Sequence, residues 1–264
     1  MTLTADQLAK IALDAGDVIM QVYASDFDVE QKQDSSPVTE ADQRAEALIL
    51  AALRQIDPEL PLIAEEAVAA GHLPKHGDRF ALIDPLDGTR EFINKRGEFT
   101  VNIGIIDQGV PVMGVVYAPA LNRLFVAETR HQAWQANVAP GGELPGPDQR
   151  RQLRIRPAPT HGLTAIASKS HRSPETDAFL ETHHIGEIIS AGSSLKFCLI
   201  AAGEADLYPR HGRTMEWDTA AGQAVAEAAG ARVTETDGTP LTYGKIHRGY
   251  DNPPFIVWGD VTPA

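Results

Sequence analysis

The stretch Ala81-Leu82-Ile83-Asp84-Pro85-Leu86-Asp87-Gly88-Thr89-Arg90-Glu91 constrains this chain more than any other. An apolar run with the character of a buried strand ends in two carboxylates three residues apart, with a proline between them and a glycine behind. In a regular strand, side chains three apart point to opposite faces. Pro85 cannot donate to a sheet ladder and Gly88 relaxes the backbone, so Asp84, the Leu86 carbonyl and Asp87 can bend toward one centre. Hard oxygen donors of this kind suit Mg²⁺, which takes few protein carboxylates and keeps positions for water and substrate phosphate. Thr89 to Ile93 can start a helix whose free N–H groups face the same point, an arrangement that holds phosphate.

Other acidic segments matter only in combination with this one. Leu62-Ile63-Ala64-Glu65-Glu66 ends an apolar run in paired carboxylates; alone it reads as a solvated strand end. Ser36-Pro37-Val38-Thr39-Glu40-Ala41-Asp42 sets Asp42 at a helix start, the place of a cap. Glu216-Trp217-Asp218-Thr219-Ala220-Ala221-Gly222 places Asp218 ahead of an Ala-rich helix, where capping would account for it, and its small residues permit close helix packing.

Apolar residues at three- and four-residue spacing predict an amphipathic helix over 4–23, opened by a Thr4/Gln7 capping box, and a second over 42–56 that ends at Asp57-Pro58. Short β-like runs follow at 61–64, 80–83, 100–107, 110–117 and 124–127, so the first half reads as two helices and a mainly antiparallel sheet. The Gly- and Pro-dense stretch 138–148 marks the domain junction, dividing the chain into 1–145 and 146–264. Beyond it, strands at 163–167, 187–190, 205–208 and 255–258 alternate with helices from 174, at 194–202 and at 219–229, the pattern of an α/β layer with crossover helices. Arg150, Arg151, Arg154 and Arg156 read as the solvated edge of a strand.

With 23 Lys+Arg against 36 Asp+Glu, the net charge of −13 argues against general binding to nucleic acid or anionic membranes. One cysteine, Cys198, allows no internal disulfide and points to a reducing cytoplasm. The first residues carry Asp6, Asp14 and Asp17 rather than a basic start and an apolar core, so no signal peptide is expected, and apolar stretches fall well short of a membrane span.

Taken in order, SPVTEAD, the AEE pair, LIDPLDGTREF, GSSLK and EWDTAAG resemble the inositol monophosphatase superfamily of Mg²⁺-dependent, lithium-sensitive phosphatases. Within it the chain is most similar to the bacterial 3′(2′),5′-bisphosphate nucleotidases, from about Ile11 to the last strand. The resemblance implies a layered αβαβα sandwich, of α+β or α/β class, shared with fructose-1,6-bisphosphatase. It implies two or three Mg²⁺ ions held by Glu65, Asp84, the Leu86 carbonyl, Asp87 and Asp218. Asp42 and Thr89 would orient and help deprotonate the attacking water, with Glu65 beside them in catalysis, and Gly88 and Thr89 would hold the phosphate. Two divalent ions ~3.5–4 Å apart can stabilise both attacking and leaving oxygens of an in-line displacement, so no covalent phosphoenzyme is needed.

Substrate choice falls to the second half. Ser168-Lys169-Ser170-His171-Arg172 follows a strand, and Gly192-Ser193-Ser194-Leu195-Lys196 opens a helix. Ser193 or Ser194 can donate to a phosphate at that helix end while Lys196 adds a point charge. By the resemblance, His171, Ser193, Lys196 and Arg210 contact the nucleotide. The implied reaction removes the 3′-phosphate of adenosine 3′,5′-bisphosphate to give AMP, in the cytoplasm or at the inner face of the membrane. Hydrolysis of inositol monophosphate or fructose 1,6-bisphosphate is the alternative, and a catalytically silent metal- or nucleotide-binding regulator the non-enzymatic one. Oligomeric state stays open.

Overall fold

A computed structural model describes residues 3–27, 29–31, 37–167 and 173–261. The 168–172 segment with His171, and Ser36 of the SPVTEAD segment, lie outside the described residues. Helix α1 (Ala5–Tyr23) opens with Thr4 and Gln7 in a capping box, and a two-stranded ribbon of β1 (Val29–Gln31) and β2 (Pro37–Thr39) leads into α2 (Glu40–Ile56). Both helices bury one stripe, Leu8, Ala12, Ala15 and Ile19 on α1 and Ala41, Ala45, Ile49 and Leu53 on α2.

These stripes pack on a seven-stranded sheet whose strands run in chain order: β3 (Leu62–Ala64), followed by the five-residue α3 (Glu65–Ala69), then β4 (Arg79–Asp87), followed by α4 (Thr89–Ile93), then β5 (Thr100–Asp107), β6 (Val110–Ala118), β7 (Arg123–Thr129), β8 (Gln132–Asn137) and β9 (Arg151–Gln152). Only β3 and β4 pair in parallel. The Gly- and Pro-rich stretch 138–148 joins β8 to β9 of this same sheet.

The second half supplies β10 (Leu163–Ile166), α5 (Pro174–Glu181), β11 (Ile185–Ile189), α6 (Leu195–Ala201), β12 (Leu207–Arg210), α7 (Glu216–Ala228), β13 (Arg232–Glu235) and β14 (Phe255–Trp258). Its five-stranded sheet has the order β11-β10-β12-β14-β13, with β10 parallel to β11 and β12 as crossover helices require. The layers are therefore α1 with α2, the seven-stranded sheet, α6 with α7, the five-stranded sheet, and α5: the αβαβα sandwich.

The middle layer is tight because α7 meets β5 and β6 with almost no side chain between. A Cβ on Gly104 would lie 2.8 Å from Ala220 Cβ and 2.9 Å from Ala221 N, and one on Gly114 would lie 2.9 Å from Ala224 Cβ and 3.0 Å from Ala221 O. The small residues of the EWDTAAG segment thus meet glycines on the opposing strands, and α7 comes close enough to bring Asp218 to the end of β4.

Of the four arginines after the junction, Arg151 does lie on a solvated edge, exposed on the outermost strand β9, but the others do not. Only Arg151 lies in a strand; Arg150 pairs with Asp6 at 2.9 Å and Glu128 at 3.3 Å. Arg156 forms two bonds, 2.8 and 2.7 Å, to the buried Asp206, which also accepts the Thr164 N–H at 2.7 Å. We expect Gly104→Ala to lower stability by about 1–3 kcal/mol, the cost of overpacking; an unchanged midpoint in denaturant unfolding would show that α7 can shift freely.

Candidate active site

Proline and a strand bulge put Asp84 and Asp87 on one face. On β5, Asn102 opposes Asp84 and Thr100 opposes Asp87, so two positions of β4, Pro85 and Leu86, face the single position Val101. Residues two apart on β5 share a face, and the extra residue brings their partners, three apart on β4, to that same face. The Asp84 carboxylate accepts the Leu86 N–H at 3.0 Å, locking the bulge. Gly88 follows in the left-handed region (φ 92°), and a Cβ there would press within 3.1 Å of Glu98 O.

Asp42 and Asp218 reach the site by a common device. Neither precedes its helix: each is the third helical residue, and one oxygen turns back to cap the helix. Asp42 Oδ2 accepts the Thr39 N–H (2.8 Å) and hydroxyl (2.7 Å), while Asp218 Oδ2 accepts the Met215 N–H at 2.7 Å. This corrects the expectation that Asp218 stands ahead of α7, which starts two residues earlier at Glu216. The remaining Asp42 oxygen, Oδ1, accepts the Thr89 hydroxyl at 3.3 Å, and the Leu86 carbonyl lies equally within that hydroxyl's reach. A hydroxyl has one proton to give, so donation to Asp42 leaves its lone pairs for another donor.

Glu65 enters from the first turn of α3, directly after β3, the parallel neighbour of β4. One carboxylate oxygen each of Glu65, Asp84 and Asp218 lie within 4.8 Å of one another. Burial pushes the Asp218 carboxyl well above the ordinary carboxylate range, and Asp87 and Glu65 push it further in the same direction. Such a cluster of hard oxygens, costly to charge by itself, fits a divalent cation, which neutralises the repulsion and takes carboxylate and carbonyl ligands.

A cavity of about 550 Å³ adjoins these groups. Asp87, Gly88, Ser193, Lys196, Arg210 and Asp218 all line it. Ser193, at φ 55°, donates its hydroxyl to Asp87 Oδ2 at 2.7 Å, whereas Ser194 is buried and donates to the Asp218 carbonyl at 2.5 Å, tying α6 to α7. Of the two serines, Ser193 is therefore the one that faces the cavity. Lys196 Nζ donates to the Ser193 carbonyl at 2.9 Å and lies 5.6 Å from the Tyr208 ring centroid; burial pulls its ammonium down to about 8 despite nearby Asp87. The Arg210 guanidinium is fixed by the Gly212 and Arg213 carbonyls, each at 3.1 Å.

Arg96, Glu98 and Tyr208 also line the cavity and were not anticipated from the sequence as contacts. The available signal was the Lys95-Arg96-Gly97 run just after α4, where Lys95 and Gly97 both have positive φ and turn the chain back beside the site.

Fold and site together define a layered αβαβα protein that presents a carboxylate cluster beside a cation-lined cleft. The family model described as Inositol monophosphatase family matches residues 2–254. The 3′(2′),5′-bisphosphate nucleotidase CysQ of Escherichia coli strain K12 is 44% identical over 254 residues, covering 96% of this chain and 98% of that protein. The crystal structure of CysQ from Bacteroides thetaiotaomicron, at 38% identity, superposes with a TM-score of 0.81 over 98% of this chain and 97% of that one. An inositol monophosphatase from Anabaena, at 26% identity, gives 0.73 over 97% and 90%. The chain belongs to the inositol monophosphatase family, whose enzymes are metal-dependent phosphatases.

Because the raised Asp218 carboxyl is protonated more readily in the folded than the unfolded chain, its stabilising contribution is present at low pH and lost as pH rises through its folded pKa. In metal-free protein, Asp218→Asn should therefore flatten part of the fall in thermal midpoint between acid and neutral pH; an identical pH profile in both proteins would contradict the arrangement.

Proposed function

We infer that this chain is a 3′(2′),5′-bisphosphate nucleotidase that hydrolyses the 3′-phosphate of adenosine 3′,5′-bisphosphate to give AMP and phosphate. The observation that carries the reading is one cavity lined both by Asp87 and Asp218 and by Lys196 and Arg210. A substrate with two phosphates needs the first charge set for the reacting phosphoryl group and the second for the other phosphate. Near-full-length similarity to relatives named 3′(2′),5′-bisphosphate nucleotidase supports the same substrate class.

In this reading Glu65, Asp84, the Leu86 carbonyl, Asp87 and Asp218 hold two or three Mg²⁺ ions, and Ser193, Lys196, Arg210 and His171 contact the nucleotide. Residues 1–145 thus carry most of the metal-holding groups, and 146–264 the nucleotide contacts together with Asp218. Bound Mg²⁺ supplies Lewis-acid polarisation of the phosphoryl group and lowers the pKa of water. Thr89 donates to Asp42 and accepts from the attacking water, so the pair orients the water and helps draw off its proton. Gly88 and Thr89, at the start of α4, also hold the phosphate. The P–O bond to the 3′-oxygen breaks as the water oxygen bonds to phosphorus, and the departing oxygen takes a proton from solvent water to become the ribose hydroxyl, with no covalent enzyme intermediate. Lys196 and Arg210 act at a distance from the phosphorus and contribute through binding and orientation.

Among the described residues no helix is long and apolar enough to cross a membrane. The proposed setting is the cytoplasm, supported by a lone cysteine that can form no internal disulfide.

Phosphate release from adenosine 3′,5′-bisphosphate should far exceed that from inositol 1-phosphate, and Asp84→Asn should nearly abolish it while leaving the fold intact. Preference for the inositol ester would move the substrate assignment to the alternative; Mg²⁺ binding without turnover on either would support a silent regulator. Lys196→Ala should cut kcat/KM for the bisphosphate about 10- to 100-fold, the worth of a charge-assisted hydrogen bond, and affect a small phosphate ester less. The wild-type kcat/KM for the bisphosphate should decline as pH rises through about 8, where Lys196 loses its proton, and Lys196→Arg should move that limb upward. A limb unmoved by Lys196→Arg would assign it to another group.

A further inference from the structure

We propose that Glu46 is a positioning residue that aims Glu65 into the carboxylate cluster by clamping the first turn of α3. The proposal rests on the reading of Glu65 as a metal ligand. Glu46 lies on α2 and is 6% exposed. Its two oxygens divide their work: Oε2 accepts the Glu66 N–H and Oε1 the Ala67 N–H, each at 2.8 Å. These are the second and third amides of α3, donors that a helix cannot satisfy internally.

The local sequence offers α3 no such partner. Its cap residue is Ala64, which has no side-chain hydrogen bond to give, and five residues are too few to hold a helix in isolation. The cap instead comes from twenty residues upstream. Acceptance of two successive amides by the two ends of one carboxylate fixes both the place and the rotation of the turn, whereas a single bond would leave a pivot. Since the Cα–Cβ direction of Glu65 follows from the orientation of that turn, the clamp determines where the Glu65 carboxylate points, within 4.8 Å of Asp84 and Asp218.

Glu46 follows Asp42 by four residues on α2, so both project from one face of that helix. Asp42 receives the Thr89 hydroxyl and Glu46 holds the turn that bears Glu65. One rigid element thereby sets the separation between the group that orients water and a group that holds metal. A buried carboxylate costs far more to place than a local Ser or Asp cap, and it makes sense where the cap must register one element against another.

Glu46→Gln keeps one acceptor and turns an NH₂ donor toward the other amide. In metal-free protein, hydrogen exchange at the Glu66 and Ala67 amides should quicken about tenfold or more as the turn frays. Calorimetric Mg²⁺ affinity of the metal-free protein should weaken about tenfold, the scale of losing a group that orients a ligand. In turnover, the Mg²⁺ concentration for half-maximal rate should rise more than kcat falls. Glu46→Asp, which keeps both acceptors on a shorter arm, should recover part of both the protection and the affinity, and replaces Glu46→Gln if that variant does not fold. Faster exchange with unchanged Mg²⁺ affinity would overturn the proposal, leaving Glu46 a helix cap alone. Glu65→Gln is measured alongside: if it leaves Mg²⁺ affinity intact, the ligand reading of Glu65 fails, which is distinct from Glu65→Gln weakening binding while Glu46→Gln does not.

Discussion

Mutual repulsion among carboxylates is the constraint around which this molecule is arranged. Two unit charges ~5 Å apart repel by roughly 3 kcal/mol at an effective dielectric near 20, and Glu65, Asp84, Asp87 and Asp218 are gathered where burial and proximity already lift the Asp218 carboxyl far from its ordinary range. No single element could hold such a group together. The four carboxylates instead arrive on three separately anchored pieces of backbone: a bulged strand end that carries both Asp84 and Asp87, the first turn of α3 and the first turn of α7. The seven-stranded sheet and the layer of α6 and α7 supply the anchoring, and the chemistry of a metal-dependent phosphatase follows from what they force into one place.

Carboxylates also solve the secondary problem of holding the anchors. Asp42 and Asp218 each spend one oxygen on capping their own helix and leave the other facing inward. Glu216, fully buried, accepts the Gly244 and Lys245 amides at 2.8 Å, the same two-amide grip that Glu46 exerts on α3. Acidic residues in this chain are thus divided between those that present charge to the cleft and those that fasten backbone behind it. That division explains how a protein of charge −13 can still build a pocket whose other wall is Lys196 and Arg210.

Much of this was legible in residue order. Pro85 between two aspartates announced the interruption of the ladder, and helical spacing marked α1, α2 and the close-packed small residues of α7. The strands β8 and β13 are not marked by their own pattern: Gln132–Asn137 mixes Ala and Trp with amides and Arg232–Glu235 has a single apolar residue, and their place in a sheet is decided by neighbours such as Val126 and Val257. The pairing of Arg156 with Asp206 spans fifty positions, and the approach of Arg96 to the cavity depends on where a turn returns; neither leaves a local trace. Of the proposed metal ligands, Glu65, Asp84 and Asp87 stood out because they end apolar strands, whereas Asp218 on α7 and the wall proposed to face the nucleotide were inferred from resemblance.

Helix α7 is shared property. It lies against β4, β5 and β6 on one side and contacts β13 and α6 on the other, with Gly104 and Gly114 admitting it nearly to backbone contact. A helix seated this closely on a sheet cannot serve as a hinge, because any rotation of one sheet against the other would pry it from the glycines. The contact that joins α7 to the sheet therefore also sets how far Asp218 stands from Asp84 and Asp87, so one close approach of backbone serves both the layering of the fold and the spacing of the carboxylates.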